Sequence, residues 1–173
     1  MSLYLIGPRG AGKTTVGRAT AAALGVPFAD ADQQVEERAG QSIPEIFAQK
    51  GERAFRVLER AVMLDLLGRG GVMVSTGGGA VLDSRVRQGL REQPGVVWLR
   101  APLDVLCRRI RGSSRPSLTG AAPEEELGEL VRQREPLYRQ CADVRVDTGE
   151  RSLEEVVNVV QHLWQKLPHH LLR

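Results

Sequence analysis

The chain has 173 residues, of which 42% are hydrophobic and 26% charged, and its formal net charge is +3 at pH 7. That length can bury a substantial core, and the ordinary composition excludes a disordered or fibrous chain. No stretch reaches the roughly 20 apolar residues that span a bilayer. No basic segment precedes the first apolar run, so we expect a cytoplasmic protein that binds no membrane.

Arginine supplies almost all of the positive charge, because lysine occurs only at positions 13, 50 and 166. The arginines are scattered along the chain and alternate with acids, without an accompanying aromatic series. This pattern argues against a nucleic-acid partner and favours an anionic small substrate for a few arginines. The two cysteines, Cys107 and Cys141, lie far apart and are predicted to be buried free thiols.

Short apolar runs alternate with helical patterns along the chain. The predicted strands are 3–6, 26–29, 72–75, 96–99 and 144–146, and the predicted helices are 13–23, 52–67, 84–92, 102–109, 124–140 and 153–164. Apolar strands separated by helices favour a parallel sheet that is covered on both faces. We therefore predict an α/β fold, a three-layer αβα sandwich around five parallel strands, with residues 1–173 forming one domain.

Two segments depart from this alternation. Residues 30–60 hold two helical pieces, one beginning near Asp30 and one opening at Ser42, where Glu45 completes a capping box. Residues 111–123 are rich in Gly, Ser and Pro and lie between two helices. A loop of this kind is either a linker or a mobile functional loop. Since the next helix and strand complete the sheet, we interpret it as a lid that carries Arg115.

The sequence GPRGAGKT at residues 7–14 matches the phosphate-binding loop, or P-loop, of nucleotide-dependent enzymes. It follows a predicted strand and opens a predicted helix, which is the context that this motif requires. Its glycines allow the backbone amides to approach phosphates, its lysine reaches the outer phosphates and its threonine ligates Mg²⁺. The residues predicted to bind ATP here are Gly10, Ala11, Gly12, Lys13, Thr14 and Thr15.

Several further patterns concern the phosphoryl acceptor. The base-reading NKxD motif of GTPases is absent, and the third strand runs into three glycines, 77–79, that expose backbone donors. Asp30 and Asp32 follow the second predicted strand and can divide metal binding and proton acceptance between them, and a helix cap is the alternative role for Asp30. Arg56, beside Glu59 one turn along, and Arg134 can each bind a carboxylate.

These motifs, in order and at this spacing, resemble those of the shikimate kinase family. The series consists of the P-loop, FADAD at 28–32, GERAFRVLE at 51–59, the triple glycine, the lid Arg-Pro pair at 115–116 and REPLY at 134–138. The resemblance extends from about residue 3 to residue 140. It implies an ATP-dependent kinase that phosphorylates the 3-hydroxyl of shikimate with Mg²⁺, in aromatic amino acid biosynthesis. A gluconate or nucleoside-monophosphate kinase and a catalytically silent nucleotide binder are the alternatives.

The resemblance also implies a role for individual residues. Asp32 would bind the ring hydroxyls and help to deprotonate one of them, and Arg115 would close with the lid onto the transferred phosphoryl group. The residues implied to be catalytic are Lys13, Asp32 and Arg115, and those implied to bind Mg²⁺ are Thr14 and Asp30. The residues implied to bind shikimate are Asp32, Arg56, Gly77, Gly78 and Arg134. Together with the P-loop, ATP would be bound by Arg108, Arg115 and Arg151. A monomer is expected.

The chain departs from the family pattern at two places. Ser117 stands in the lid where the family usually has leucine, so lid closure is expected to be looser. The loop DTGERS at residues 147–152 matches the adenine-contact loop of the family only loosely. The adenine contacts of Arg108 and Arg151 therefore depend on the resemblance more than the other assignments do.

Overall fold

The computed structural model describes residues 2–111 and 122–166. Within that part of the chain, five strands form one sheet in the order β2-β3-β1-β4-β5, and every neighbouring pair is parallel. The strands are β1 Leu3–Ile6, β2 Phe28–Asp30, β3 Met73–Ser75, β4 Val96–Arg100 and β5 Val144–Asp147. The helices are α1 Lys13–Leu24, α2 Ala31–Ala39, α3 Ile43–Leu67, α4 Ser84–Arg91, α5 Leu103–Ile110, α6 Pro123–Cys141 and α7 Leu153–Lys166. The predicted α/β fold with a five-stranded parallel sheet is confirmed.

Both faces of the sheet are covered, because alternate side chains of a strand point to opposite sides. In β1, Leu3 and Leu5 join a core with α1, α5 and α7, whereas Tyr4 and Ile6 join a second core with α2, α3 and α4. Helix α6 contributes to both cores. The three-layer arrangement follows directly from these continuous apolar strands, and both cysteines are buried free thiols as predicted.

The second strand begins later than the apolar run suggests. Residues 26–29 were predicted as a strand, but β2 is Phe28–Asp30. Gly25 ends α1 in the left-handed conformation, and the Val26 amide still donates to the carbonyl oxygen of Ala21 at 3.0 Å. Val26 therefore completes the helix end, and the pairing with β3 begins at the carbonyl oxygen of Pro27, which accepts from the Met73 amide at 2.9 Å.

The helical segment after β2 forms as its capping residues predict. Asp30 caps α2 by accepting from the amides of Asp32 and Gln33, so the capping reading of Asp30 is correct. Ser42 and Glu45 form the predicted capping box at the start of α3. Helix α3 bends at Gly51, where φ is 77°, and the predicted helix 52–67 is its second part.

The lid proposed for residues 111–123 lies mostly outside the described residues, including Arg115 and Ser117. The structure describes the two ends of that loop, and there Arg111 approaches Glu124 at 3.4 Å. None of the helices in the described ranges has the length and apolar character needed to cross a bilayer.

Candidate active site

The carboxyl ends of the parallel strands open into a cleft of about 460 Å³. In open α/β sheets this edge is where ligands bind. The P-loop follows β1, Asp30 ends β2, Ser75 ends β3 and Thr148 follows β5. The cleft is lined by residues 9–16 and by Asp30, Asp32, Ser75, Thr76, Gly78, Arg109, Thr148, Arg151, Ser152, Leu153 and Val156. All six predicted P-loop residues are therefore in one place.

The P-loop backbone needs glycine where it turns away from β1. Gly7 has a φ of 140°, and a Cβ at this position would lie 2.1 Å from the carbonyl oxygen of Leu99. The ammonium group of Lys13 is buried and donates to the carbonyl oxygens of Gly7 and Pro8, each at 2.9 Å. Lys13 thus holds the loop in a closed turn and places its positive charge beside the backbone amides.

Three oxygen-bearing side chains meet at the helix side of the cleft. The Thr14 hydroxyl donates to Oδ2 of Asp30 at 2.7 Å and lies 3.3 Å from the Ser75 hydroxyl. Asp30 uses its other oxygen, Oδ1, to cap α2. Hydroxyl and carboxylate oxygens are the ligands that Mg²⁺ prefers, usually together with water and substrate phosphates. The Thr14 hydroxyl and the Asp30 carboxylate therefore fit a Mg²⁺ ion that is bound mainly through phosphates.

The triple glycine leaves room for side chains that approach from α2 and α3. A Cβ on Gly77 would lie 2.5 Å from Oε1 of Glu59 and 2.8 Å from Oδ1 of Asp32. A Cβ on Gly79 would lie 2.1 Å from Nη1 of Arg56. Side chains at these two positions would displace the charged groups. The glycines therefore allow Asp32, Glu59 and Arg56 to sit against the end of β3.

Arg56 is held by two carboxylates on its own helix. Its Nη1 group donates to Glu59 at 2.6 Å, and its Nε and Nη2 groups donate to Glu52 at 3.1 and 3.0 Å. Burial lowers the pKa of Arg56, but the charges of Glu59 and Glu52 outweigh burial, so the net shift of the pKa is upward. The guanidinium is thus a fixed positive charge at the edge of the site.

Arg134 approaches the same place from α6. Burial lowers its pKa, and the positive charge of Arg56 lowers it further, while Glu59 and Tyr138 act in the opposite direction. The Nε group of Arg134 has no hydrogen-bond partner within the described ranges. Two guanidinium groups that repel each other, one with an unused donor, form a place where an anion binds favourably.

The predicted ATP contact Arg108 does not line the cleft. Arg108 is exposed, lies 3.5 Å from Asp104 one turn away, and borders a separate depression between α5 and α6. Arg109 lines the cleft instead and donates to the carbonyl oxygen of Gly10 at 3.3 Å and to that of Thr148 at 2.7 Å. Successive side chains of a helix point about 100° apart, so Arg108 and Arg109 lie on different faces of α5.

Thr148 and Ser75 also belong to the cleft but were missed by sequence reasoning. Thr148 is buried, and its hydroxyl lies 3.1 Å from the carbonyl oxygens of Ala11 and Arg100. Both residues are polar positions at or just after the carboxyl end of a strand, and that placement is the signal that could have found them. Arg151, by contrast, was predicted and lines the cleft.

Comparisons with known proteins agree with this geometry. A family model described as shikimate kinase matches residues 9–165. The shikimate kinase of Thiobacillus denitrificans is 44% identical over 160 residues, which are 92% of this chain and 87% of the relative. The chain belongs to the shikimate kinase family. The family resemblance predicted from the ordered motifs is thereby confirmed, and with it the assignment as a kinase.

Two solved structures resemble this chain to different degrees. A shikimate kinase from Acinetobacter baumannii in complex with shikimate has a TM-score of 0.89 and 37% identity, covering 96% of this chain and 95% of that one. A gluconokinase from Sinorhizobium meliloti covers 98% of this chain and 94% of its own, but with a TM-score of 0.57 and 22% identity. The second likeness shows a shared fold only.

Proposed function

We propose that this chain transfers the γ-phosphoryl group of ATP to the 3-hydroxyl of shikimate, giving 3-phosphoshikimate and ADP. One observation carries the proposal beyond family membership. Asp32 lines the P-loop cleft and also lies, with Glu59, against Gly77, so one carboxylate borders both the nucleotide side and the acceptor side. A proton acceptor at that junction is what transfer from a phosphate to a hydroxyl requires.

The nucleotide is assigned to the P-loop side of the cleft. The amides of residues 10–15 would bind the β- and γ-phosphates at the start of α1, and Lys13 would move from its own loop carbonyls to the outer phosphates. Arg109 and Arg151 border the remaining space, where the base and ribose would lie. Arg115 would add positive charge at the transferred group, and no contact in the described ranges bears on that role.

Mg²⁺ is assigned to Thr14 and Asp30. When bound, it would neutralise charge on the phosphates and help to align them with the acceptor. Thr14 would supply a hydroxyl ligand, and the Asp30 carboxylate, already 2.7 Å from that hydroxyl, would hold a ligand water or the ion itself. Ser75 lies 3.3 Å from the same hydroxyl and can orient it.

Shikimate is assigned to the space beside the cleft, next to Asp32, where Arg56 on α3 and Arg134 on α6 approach each other; neither arginine lines the cleft itself. Its carboxylate would bind Arg56 and Arg134, which offsets the repulsion between them. Asp32 would bind the ring hydroxyls and accept the proton of the attacking one, and Gly77 and Gly78 would contribute backbone to the pocket. An acceptor without a carboxylate would leave the buried Nε donor of Arg134 without an acceptor, and this disfavours neutral sugars.

We further propose that the protein works as a monomer in the cytoplasm. In this proposal residues 1–173 form one domain, in which residues 32–60 bind the acceptor and residues 111–123 close over it. The pathway implied by family membership is aromatic amino acid biosynthesis through shikimate.

A coupled assay of ADP release tests the proposal. The protein is supplied with ATP, Mg²⁺ and, in separate reactions, shikimate, gluconate and a nucleoside monophosphate. We expect turnover with shikimate alone, and loss of at least about 10²-fold in Asp32→Asn, which retains the shape of the side chain but not its basicity. Turnover with one of the other acceptors and not with shikimate would refute the substrate assignment. ATP binding without turnover on any acceptor would support a silent nucleotide binder.

A further inference from the structure

Tyr138 makes a contact that the roles above do not use. Its side chain is buried, and its hydroxyl donates to the carbonyl oxygen of Gly78 at 2.6 Å, joining α6 to the end of β3 across 60 positions of sequence. We propose that Tyr138 is a positioning residue that orients the triple glycine and Arg134 for the acceptor. This inference rests on the proposed function, because it concerns how the same acceptor site is held.

The carbonyl oxygens of the triple glycine are all used. Gly77 accepts from the Ala80 amide at 3.1 Å and Gly79 accepts from the Leu82 amide at 2.9 Å, both within a local turn. The Gly78 oxygen is bound by the distant Tyr138 hydroxyl. The oxygen of Gly78 is therefore the one in this segment that depends on a distant element for its hydrogen bond.

Tyr138 controls one amide of the triple glycine through the peptide plane. The carbonyl group of Gly78 and the N–H group of Gly79 belong to one planar peptide unit. A bond that fixes the Gly78 oxygen therefore also fixes the direction of the Gly79 N–H. Gly79 is the glycine against which the Arg56 guanidinium packs, so this amide lies beside the predicted carboxylate-binding group.

The same hydroxyl also sets the position of Arg134. Tyr138 and Arg134 are one helical turn apart on α6, so their side chains lie on one face of that helix. A contact between Tyr138 and Gly78 therefore fixes the distance from α6 to the triple glycine, and with it the separation of Arg134 from Arg56. Without the bond, both the glycine peptide and the helix could shift.

The aromatic ring of Tyr138 is anchored independently of its hydroxyl. It packs against Trp98 with ring centroids 5.9 Å apart and lies in the core with Cys141. Burial raises the pKa of Tyr138, so the hydroxyl remains a proton donor at physiological pH. Tyr138→Phe therefore keeps the ring and removes only the hydroxyl, with its contacts to Gly78 and Arg134.

Tyr4 provides a matched control. Its side chain is also buried, and its hydroxyl also donates to a main-chain oxygen, that of Leu66 at 3.2 Å. Tyr4 lies on β1 near the amino end of the sheet, opposite to the cleft. Tyr4→Phe removes a buried tyrosine hydrogen bond of the same kind at a place remote from the acceptor.

The experiment compares shikimate binding in the two variants and the unaltered chain. Shikimate is titrated calorimetrically without ATP, and KM values for shikimate and ATP are then measured with thermal melting of each protein. We expect Tyr138→Phe to weaken shikimate binding about threefold to tenfold, because that is the usual effect of losing one hydrogen bond. The KM for ATP should be unchanged. Tyr4→Phe is expected to lower the melting temperature comparably without weakening shikimate binding.

Two results would overturn the inference. One is equal shikimate binding by Tyr138→Phe and the unaltered chain; the other is equal weakening in both variants, since that would reflect stability alone. In either case the unaltered chain still phosphorylates shikimate, so the proposed function stands. If the unaltered chain neither binds nor phosphorylates shikimate, the proposed function fails and the inference fails with it.

Discussion

Glu59 fixes Arg56 at the edge of the acceptor site. The Nη1 group of Arg56 donates to Oε2 of Glu59 at 2.6 Å, and the Glu59 side chain is only 4% exposed. A buried carboxylate paired with a partly buried guanidinium costs desolvation energy that the pair must recover through its own geometry. We interpret this pair as a means of holding the substrate-facing cation in one orientation.

Replacing Glu59 by glutamine should impair the acceptor side selectively. Glu59→Gln removes the charge while preserving the size of the side chain, so Arg56 is no longer held by a buried counter-charge. We expect the KM for shikimate to rise by about tenfold or more, since charge-assisted hydrogen bonds are roughly twice as strong as neutral ones. The KM for ATP should change little, as measured by steady-state kinetics.

Glu52 offers a graded comparison for that prediction. It also binds Arg56, at 3.0 Å, but its side chain is 49% exposed. Exposed ion pairs contribute little, so Glu52→Gln should raise the KM for shikimate by less than about threefold. Equal effects of the two substitutions would show that burial of Glu59 is not what orients Arg56.

Gly79→Ala should displace Arg56 without disturbing the fold. The added Cβ would lie 2.1 Å from Nη1 of Arg56, the end of a flexible side chain that can move away. We therefore expect a melting temperature within about 3 °C of the unaltered chain and a markedly raised KM for shikimate. Gly70→Ala is the control, since a Cβ there meets no atom within 4 Å. A normal KM in Gly79→Ala would mean that Arg56 does not bind the acceptor.

The sequence was sufficient for the fold and for locating the P-loop. The P-loop is one contiguous motif in a strand–helix setting, so local rules are enough to assign it. The family could be identified because its other motifs, each of low specificity alone, are highly specific when they occur together in this order. Both predictions use the order and spacing of residues along the chain, which can be read without knowing where the side chains point.

Contacts between distant elements were beyond the sequence. Nothing in the pattern distinguishes Arg108 from Arg109, because their difference is a rotation of one residue around α5. The bond from Tyr138 to Gly78 joins positions 60 apart and depends on how α6 packs on the sheet. The predicted start of β2 was wrong because an apolar residue such as Val26 is compatible with a strand and with the end of a helix.

Arg109→Ala and Arg108→Ala should differ in their effect on ATP. Arg109 donates to Gly10 and Thr148 at the cleft, whereas Arg108 pairs with an exposed Asp104. We expect the KM for ATP to rise about threefold to tenfold in Arg109→Ala. The rise should be less than about twofold in Arg108→Ala, because exposed pairs contribute little. The opposite ranking, in steady-state assays at saturating shikimate, would support Arg108 as the ATP contact.

Arg115→Ala tests the role assigned to the lid. An arginine that stabilises the transferring phosphoryl group contributes to turnover and much less to ATP binding. We expect kcat to fall by about 10³-fold with nearly unchanged ATP affinity. Arg132→Ala, on the exposed face of α6, controls for loss of an arginine. A fall in kcat of less than about tenfold would remove Arg115 from the catalytic set.

Asp30→Asn separates the two contacts of Asp30. Asparagine caps helices as well as aspartate does, so α2 and the melting temperature should be preserved. The charge beside Thr14 is lost, however, and loss of a metal-supporting group typically costs about 10- to 100-fold in metal affinity. We therefore expect half-maximal activity at a Mg²⁺ concentration about tenfold higher or more, in titrations at fixed ATP and shikimate.

Asp83→Asn is the matched control for Asp30→Asn. Asp83 caps α4 by accepting from the amides of Arg85 and Val86, the same arrangement that Asp30 forms on α2. It does not line the cleft, so its Mg²⁺ titration should coincide with that of the unaltered chain. If Asp30→Asn also gives an unshifted Mg²⁺ titration, the Asp30 carboxylate acts only as a helix cap, and the metal must then depend on Thr14 and the phosphates.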